Sequence, residues 1–174
     1  DGYFRNVTMS NLFVASGGVD VFPPDTFFPD ADVISSSTII GGSPRGIHVQ
    51  GRNLISVSGE TDAIEIVDFS DPSNPYLVAS STLGAGVTPT EFVVENDILI
   101  LAGDYSGVDG LRFYDIRNLN NPVNLGEIDL SHQSIGDVDA AGVHAFAISS
   151  VSSSMYIVNL GDPAKPRLID TVTG

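Results

Sequence analysis

The chain has 174 residues, 42% of them apolar, which is typical of one ordinary globular domain. Its 22 acidic residues outweigh 7 lysines and arginines, and the formal charge of −15 makes nucleic acid and anionic membrane surfaces unfavourable partners. It contains no cysteine, which excludes disulfides, thiolate metal sites and covalent haem attachment through a Cys-x-x-Cys-His motif.

The N-terminal part begins with two short apolar segments, Leu12 to Gly17 and Val19 to Phe22, which predict β-strands. Two adjacent prolines follow the second segment, and they exclude a central strand there, so we expect a long irregular loop. Within it, Phe27 and Phe28 either plug an edge of the fold or are a candidate partner contact, because aromatic residues in an irregular loop can mark interaction sites. No apolar run approaches the ~18 residues that a membrane span needs, so no membrane insertion is expected.

Three later segments repeat one another at spacings of 47 and 44 residues, and each is followed by a turn that closes on a proline. A period of roughly this length, built from strands and turns, is typical of β-propeller blades. The segments are Ile64 to Phe69, Leu111 to Ile116 and Met155 to Leu160.

Each repeat predicts four strands, of which the repeated segment is the third. First strands are expected at Ile47 to Gln50, Phe92 to Glu95 and Val138 to Ala141, an alignment that makes His48 equivalent to Phe92 and Asp139. Second strands are expected to start at the equivalent residues Leu54, Ile98 and Ala145. No segment has the periodicity and caps of a helix.

The predicted fold is therefore all-β, a β-propeller of about four four-stranded blades with approximate limits 1–40, 41–84, 85–130 and 131–174. The four blades either close on themselves or form part of a larger ring of about seven or eight blades. The second is favoured, because the chain starts in a first strand and ends in a fourth, so no strand exchange clasps the ends. A start at Asp1 rather than methionine suggests a processed or excerpted chain.

The turn after each repeated segment has its own chemistry. An Asp or Asn side chain can accept hydrogen bonds from nearby backbone amides, and proline at the next position fixes φ for a type I turn, as in Asp71-Pro72. We therefore expect Asp68, Asp115 and Asn159 to be bound by backbone amides of their turns rather than to take part in chemistry.

The segment from Ile64 to Pro75 resembles the LVIVD repeat, whose consensus runs roughly Leu-x-Ile-Val-Asp-Val-Ser-Asp-Pro-x-x-Pro. The match is close over 46–80, fair over 136–170 and weaker over 90–128, where Arg117-Asn118-Leu119 replaces Ser-Asp-Pro. Proteins of this family are bacterial and archaeal, mostly exported or surface-located, and similar to β-propellers. The resemblance implies a propeller and an extracellular or cell-surface location. It implies no particular reaction.

Polar residues of the first strands and the linkers before them could line one mouth of a propeller channel, where ligands commonly bind. Carboxylates and imidazoles there would suit a metal ion or acid–base chemistry, although a hydrated channel mouth has the same composition. The candidate ligand-binding residues are Arg45, His48, Thr90, Glu91, His132 and Asp137.

Calcium is the one cofactor that the sequence leaves open. Asp104 and Asp109 flank a glycine-containing segment with oxygen donors, but the twelve-residue pattern and terminal glutamate of an EF-hand are absent. A hairpin loop between the second and third strands explains the same residues. Asp25, Asp30 and Asp32 form a weaker candidate of the same kind.

Three functions remain open. The first is a protein-interaction or scaffolding module without catalytic activity, whose partner is another protein or the remainder of a larger propeller. The second is a metal-dependent, lactonase-like hydrolase with a site at the channel, using His48, Glu91, His132 or Asp137 as ligands or base. The third is a structural subunit of a surface layer or appendage that makes contacts through Phe27 and Phe28.

Overall fold

We describe the fold from a computed structural model, which defines residues 12–15, 19–22, 35–37, 40–130 and 134–174. Phe27, Phe28, His132 and the three aspartates of the first loop lie outside these residues. The described residues form fifteen β-strands and contain no helix. The strands are β1 Leu12–Ala15, β2 Val19–Phe22, β3 Ser35–Ser37, β4 Pro44–Gln50, β5 Asn53–Ser58, β6 Ala63–Asp68, β7 Tyr76–Thr82, β8 Val87–Glu95, β9 Ile98–Tyr105, β10 Asp109–Asp115, β11 Val123–Asp129, β12 Ile135–Ala141, β13 His144–Ser149, β14 Ser154–Asn159 and β15 Arg167–Thr173.

The strands form four antiparallel sheets in chain order. The first sheet contains β1–β3, and the second, third and fourth sheets contain β4–β7, β8–β11 and β12–β15. The leading strands of the last three sheets are neighbours, β4 against β8 and β8 against β12, so these sheets radiate from a common axis. This arrangement of four-stranded sheets confirms the predicted all-β propeller architecture.

Strand pairing corrects the predicted alignment by one residue in the third sheet. Asp68 pairs with Asn53, and its equivalent Asp115 pairs with Ile98. Ile98 therefore corresponds to Asn53 rather than Leu54. By the same register His48 corresponds to Val93, not to Phe92. The prediction was wrong because a continuous apolar strand is compatible with more than one pairing register. The register is fixed by the two-residue turn Asn96-Asp97, whose φ angles of 50° and 60° determine where β9 begins.

The leading strands start three to five residues earlier than predicted, at Pro44, Val87 and Ile135. The extended part of β8 includes Pro89. Each leading strand is the edge strand of its own sheet, where a missing amide costs no ladder hydrogen bond. Residues predicted to lie in linkers therefore belong to strands.

The turns after the repeated segments have the predicted hydrogen bonds. The side-chain oxygens of Asp68, Asp115 and Asn159 each accept from the amide two residues later, at 2.7, 3.0 and 2.7 Å. In the turn that follows, Asp71 accepts from the amide of Ser73 at 3.0 Å and the amide of Asn74 donates to its carbonyl. These residues stabilise turns, as the sequence predicts.

The hydrophobic core lies between neighbouring sheets. Ile55, Val57, Ile64 and Ile66 of the second sheet pack against the third sheet, and Phe113 of the third sheet packs against the fourth. All five are at most 1% exposed. Each such side chain stabilises the fold by roughly 1.5–3 kcal/mol relative to an exposed position.

Candidate functional site

Each leading strand contains a β-bulge at the same register position. Between the two strand pairs that bracket each bulge, the leading strand has one residue more than the second strand. A bulge bends its strand and redirects a side chain, and bulges are common beside functional sites. The pairs that bracket the bulges are Pro44–Ser58 and Ile47–Ser56, Pro89–Gly103 and Glu91–Ala102, and Ile135–Ser149 and Asp137–Ile148.

Four of the predicted site residues lie at these bulges. Arg45 and Thr90 each come one residue after the start of the bulge, in β4 and β8. Glu91 and Asp137 each come two residues after the start of the bulge, in β8 and β12. The structure therefore places Arg45 and Thr90 at equivalent points of successive sheets, and likewise Glu91 and Asp137.

Antiparallel pairing fixes which other segments lie at this level. The starts of the first and third strands and the ends of the second and fourth strands meet at one edge of each sheet. We call this the entrance edge. The hairpin loops 59–62, 106–108 and 150–153 belong to it, as do the described parts of the linkers between sheets.

Thr90 connects two sheets at the entrance edge. Its hydroxyl donates to the carbonyl oxygen of Ile135 at 2.8 Å, across the junction between β8 and β12. Beside this contact, at the start of β12 and the end of β13 within the fourth sheet, the Ser150 hydroxyl donates to the Ser134 carbonyl at 2.8 Å. Thr90 therefore has a structural role in holding neighbouring sheets together.

Glu91 and Asp137 present carboxylates that are held in place by the backbone. One oxygen of Glu91 accepts from the amide of Phe92 at 2.9 Å, and one oxygen of Asp137 accepts from the amide of Val138 at 2.9 Å. The Glu91 carboxylate also lies against the backbone of β4, since a Cβ built on Gly46 would meet its Oε1 at 3.1 Å. Gly46, directly before the predicted strand Ile47 to Gln50, was a sequence signal of the bulge.

Arg45 is the exposed cationic side chain of this region. Its guanidinium lies over the β5–β6 loop, where a Cβ on Gly59 would come within 2.9 Å of Nε. Gly59 therefore makes room for the arginine. Nearby, the hydroxyl of Ser43 donates to Glu60 at 2.9 Å.

His48 lies away from the entrance edge, in the middle of β4, where it pairs with Ile55. Its side chain is half-buried, and burial lowers the pKa of the imidazole below its ordinary value. The structure does not place it at the bulge level with Glu91 and Asp137.

The calcium candidates Asp104, in β9, and Asp109, in β10, pair directly with each other across the two strands. The loop between these strands covers only residues 106–108 and is shorter than predicted. Asp104 accepts from the amide of Gly107 at 2.8 Å, which is a loop-stabilising contact. Among the described residues, no group of three or more His, Asp and Glu side chains could hold a metal ion. Calcium binding stays a prediction.

Sequence reasoning missed a buried carboxylate at the same edge. Glu65 of β6 is 4% exposed, accepts from the amide of Gly41 at 2.9 Å and lies 3.5 Å from the hydroxyl of Thr61. Burial raises the pKa of this carboxyl, and the two hydrogen bonds oppose the rise. A charged residue inside the apolar Ile64-Glu65-Ile66 segment was the signal that could have revealed it.

Comparison with known proteins supports the fold. No family model and no curated protein matches the chain. Solved structures do match. A protein from Lactobacillus plantarum matches with 11% sequence identity and a TM-score of 0.76, and the match covers 96% of this chain and 54% of that chain. The periplasmic gluconolactonase of Pseudomonas aeruginosa matches with 12% identity and a TM-score of 0.73, and the match covers 95% of this chain and 52% of that chain. A chain of a nidogen/laminin complex matches at 15% and 0.61, covering 95% and 60%.

The chain is thus similar to lactonase-type propellers in fold, and at these identities the likeness concerns the fold alone. It spans about half the length of the first two of these structures. Within the part of the chain that is described, no helix has the length and apolar character that crossing a membrane requires.

Proposed function

We propose that the chain is a binding module of an exported or cell-surface protein, and that it recognises a basic protein segment at the entrance edge without catalysing a reaction. One observation carries the proposal. A bulge recurs in each leading strand and places the carboxylates of Glu91 and Asp137 at equivalent points around the axis. The resemblance to the LVIVD repeat supports the location, as does the similarity to a periplasmic protein.

The held orientation of both carboxylates suits recognition. Because one oxygen of each accepts a backbone amide, little side-chain freedom is lost when a cation binds. The formal charge of −15 would also attract a lysine- or arginine-rich partner from a distance. A chain of a protein complex among the similar structures supports a role in protein binding.

A titration with a lysine- and arginine-rich peptide tests this function. The double variant Glu91→Gln with Asp137→Asn should weaken binding by about tenfold, since two ion pairs of roughly 0.5–1 kcal/mol each are lost. The matched control is Asp71→Asn with Asp162→Asn, which removes the same charge from exposed turns. Asn118 already occupies the equivalent turn position, so those turns should persist.

Equal weakening in both double variants would show that only net charge matters, and the proposed site would then be wrong. Binding should also weaken as salt rises, because the attraction is electrostatic. A peptide affinity that does not respond to salt would contradict the proposal as well.

A second candidate function is lactone hydrolysis at the same edge, favoured by the similarity to a gluconolactonase. It would use Glu91 or Asp137 as a base or metal ligand together with His132. The test is hydrolysis of gluconolactone with and without added divalent metal, in the native chain and in His132→Ala. Turnover that requires both the metal and His132 would favour the hydrolase over the binding module.

A further inference from the structure

Arg45 is an exposed arginine without a partner in a chain that has 22 acidic residues. Three other arginines each pair with a carboxylate. The pairs are Arg52–Asp68 at 3.2 Å, Arg112–Glu127 at 2.8 Å and Arg117–Asp115. Within the part of the chain that the structure describes, Arg45 forms neither an ion pair nor a side-chain hydrogen bond. The five N–H donors of its guanidinium can therefore all serve a bound molecule.

The second sheet leaves room for this side chain at the entrance edge. A Cβ built on Gly59 would lie 2.9 Å from Nε and 3.0 Å from Nη2 of Arg45. The backbone of Gly59 does not have the positive φ that favours glycine. Space for the guanidinium, rather than backbone conformation, therefore accounts for the glycine at this position.

The fourth sheet has the reverse arrangement at the equivalent place. The first residue of the β13–β14 loop, Ser150, donates its amide to the preceding linker as Gly59 does in the second sheet, so the two are equivalent. Gly136 follows the start of its bulge by one residue and is equivalent to Arg45. A Cβ built on Gly136 would lie 2.9 Å from the Cβ of Ser150. There is room for one side chain at each place, and in the second sheet it is the arginine.

The Glu91 carboxylate lies near Arg45 on the same edge. Its Oε1 lies 3.1 Å from a Cβ built on Gly46, the residue after Arg45 in β4. Register puts Gly46 and Gly59 a few residues apart on neighbouring strands. The guanidinium and the carboxylate are therefore on the order of 10 Å apart. A cation and an anion at this spacing can bind a molecule that carries both charges.

We propose that the entrance edge recognises a chain terminus. Arg45 binds the free C-terminal carboxylate of a partner protein, and Glu91 binds the side chain of a terminal lysine or arginine. This rests on the function proposed above, the recognition of a basic segment. A segment rich in lysine and arginine has few acidic side chains, whereas its terminal carboxylate is an anion that does not depend on its sequence.

The dimensions of a terminal lysine agree with the spacing. In an extended lysine the carboxylate and the ammonium group are about 7 Å apart by standard bond lengths. Each ion pair adds about 3 Å, so one residue can reach both groups. Arginine suits the carboxylate because its planar guanidinium can donate two parallel hydrogen bonds to the two oxygens.

A comparison of two forms of one peptide tests the proposal. A lysine- and arginine-rich peptide that ends in lysine is prepared as the free acid and as the C-terminal amide, which lacks the terminal charge. The native chain should bind the acid about fivefold more tightly, as one ion pair allows. Long-range attraction to a chain of charge −15 predicts the opposite order, because the amide is the more positive peptide.

A third peptide tests whether the two charges must be adjacent. The free acid is extended by four glycines, so a flexible spacer separates the carboxylate from the last lysine. It should bind about as weakly as the amide. Affinity equal to that of the original acid would contradict recognition of a terminal basic residue.

Variants of the protein assign the preference to one side chain. Arg45→Gln removes no ion pair or side-chain hydrogen bond of the described structure and should bind the acid and the amide equally. Arg167→Gln is the matched control: it removes the same charge from an exposed position at the start of β15, on the opposite edge, and should keep the fivefold preference. Equal loss of the preference in both variants overturns the proposal.

The same titrations separate this proposal from the function on which it rests. If the native chain binds the amide as tightly as the acid, and Glu91→Gln weakens the binding of both, recognition of the terminus is wrong while binding of a basic segment stands. If neither peptide binds, both proposals are wrong.

Discussion

Glu65 of β6 and Arg112 of β10 occupy the same register position in successive sheets, and each binds the linker that precedes its sheet. Glu65 accepts from the amide of Gly41 at 2.9 Å, and Arg112 donates to the carbonyl of Leu83 at 3.2 Å. The negative carboxylate of Glu65 faces a backbone N–H, and the positive guanidinium of Arg112 faces a backbone C=O, so each charge meets the backbone group of opposite partial charge. One position in the repeat therefore secures the linkers in two chemically different ways.

Replacing Glu65 by Gln should stabilise the protein at neutral pH. Burial raises the pKa of this carboxyl, so the folded state binds more protons than the unfolded state in the window above pH 4.5. Stability from this group is complete below that window and is lost as pH rises through the raised pKa. The unfolding midpoint of Glu65→Gln should exceed that of the native chain at about pH 7 and equal it near pH 4.

Glu65→Ala separates charge from hydrogen bonding. Without an acceptor for the part-buried amide of Gly41, Glu65→Ala should lose about 1–3 kcal/mol of unfolding free energy relative to Glu65→Gln at every pH. If Glu65→Gln and the native chain differ by the same amount at both pH values, the burial argument is wrong.

Replacing Arg112 by Lys should destabilise the fold although the charge is kept. The guanidinium donates to Glu127 at 2.8 Å and to Leu83, and it stacks 4.2 Å from the ring centroid of Tyr105. An ammonium group lacks the planar fork and satisfies fewer of these contacts. Chemical denaturation should show a loss of about 1–2 kcal/mol. Arg167→Lys, on an exposed outer strand, is the control and should change little.

The architecture could be predicted from the sequence because it is repeated. Three copies of a strand-and-turn unit fix the strand count, and the turn chemistry of Asp68 and Asp71 depends only on residues close in the chain. Register in the third sheet was predicted wrongly by one residue. The apolar run from Ile98 is compatible with several pairings, and the turn at Asn96-Asp97 chooses between them.

The candidate site was predicted in part. Arg45, Thr90, Glu91 and Asp137 are at equivalent bulges, although the sequence analysis assigned them to the linkers before the first strands. A bulge depends on how two strands pair, which local composition does not determine. The burial of Glu65 likewise depends on a linker 24 residues away.

Asp115 should make the protein sensitive to strong acid. Its carboxylate pairs with Arg117 and accepts that residue's amide, and these bonds lower its pKa to about 2. The stabilisation is complete above pH 3.8 and is lost as pH falls through about 2. Asp115→Asn keeps the acceptor, as Asn159 does in the fourth sheet, but loses the ion pair. Its unfolding midpoint should lie below the native value at pH 7, and the gap should close near pH 2.

His48 should impose a second pH dependence, in a milder range. Burial lowers the pKa of its imidazole, so the unfolded state binds more protons between the lowered value and 6.5. Stability should therefore fall as pH drops below about 6.5. His48→Val tests this, because Val93 occupies the equivalent position in β8 and shows that valine fits the leading strand. Thermal unfolding between about pH 5 and pH 8 should be flatter for the variant than for the native chain. An unchanged slope would mean that groups other than His48 govern stability in that range.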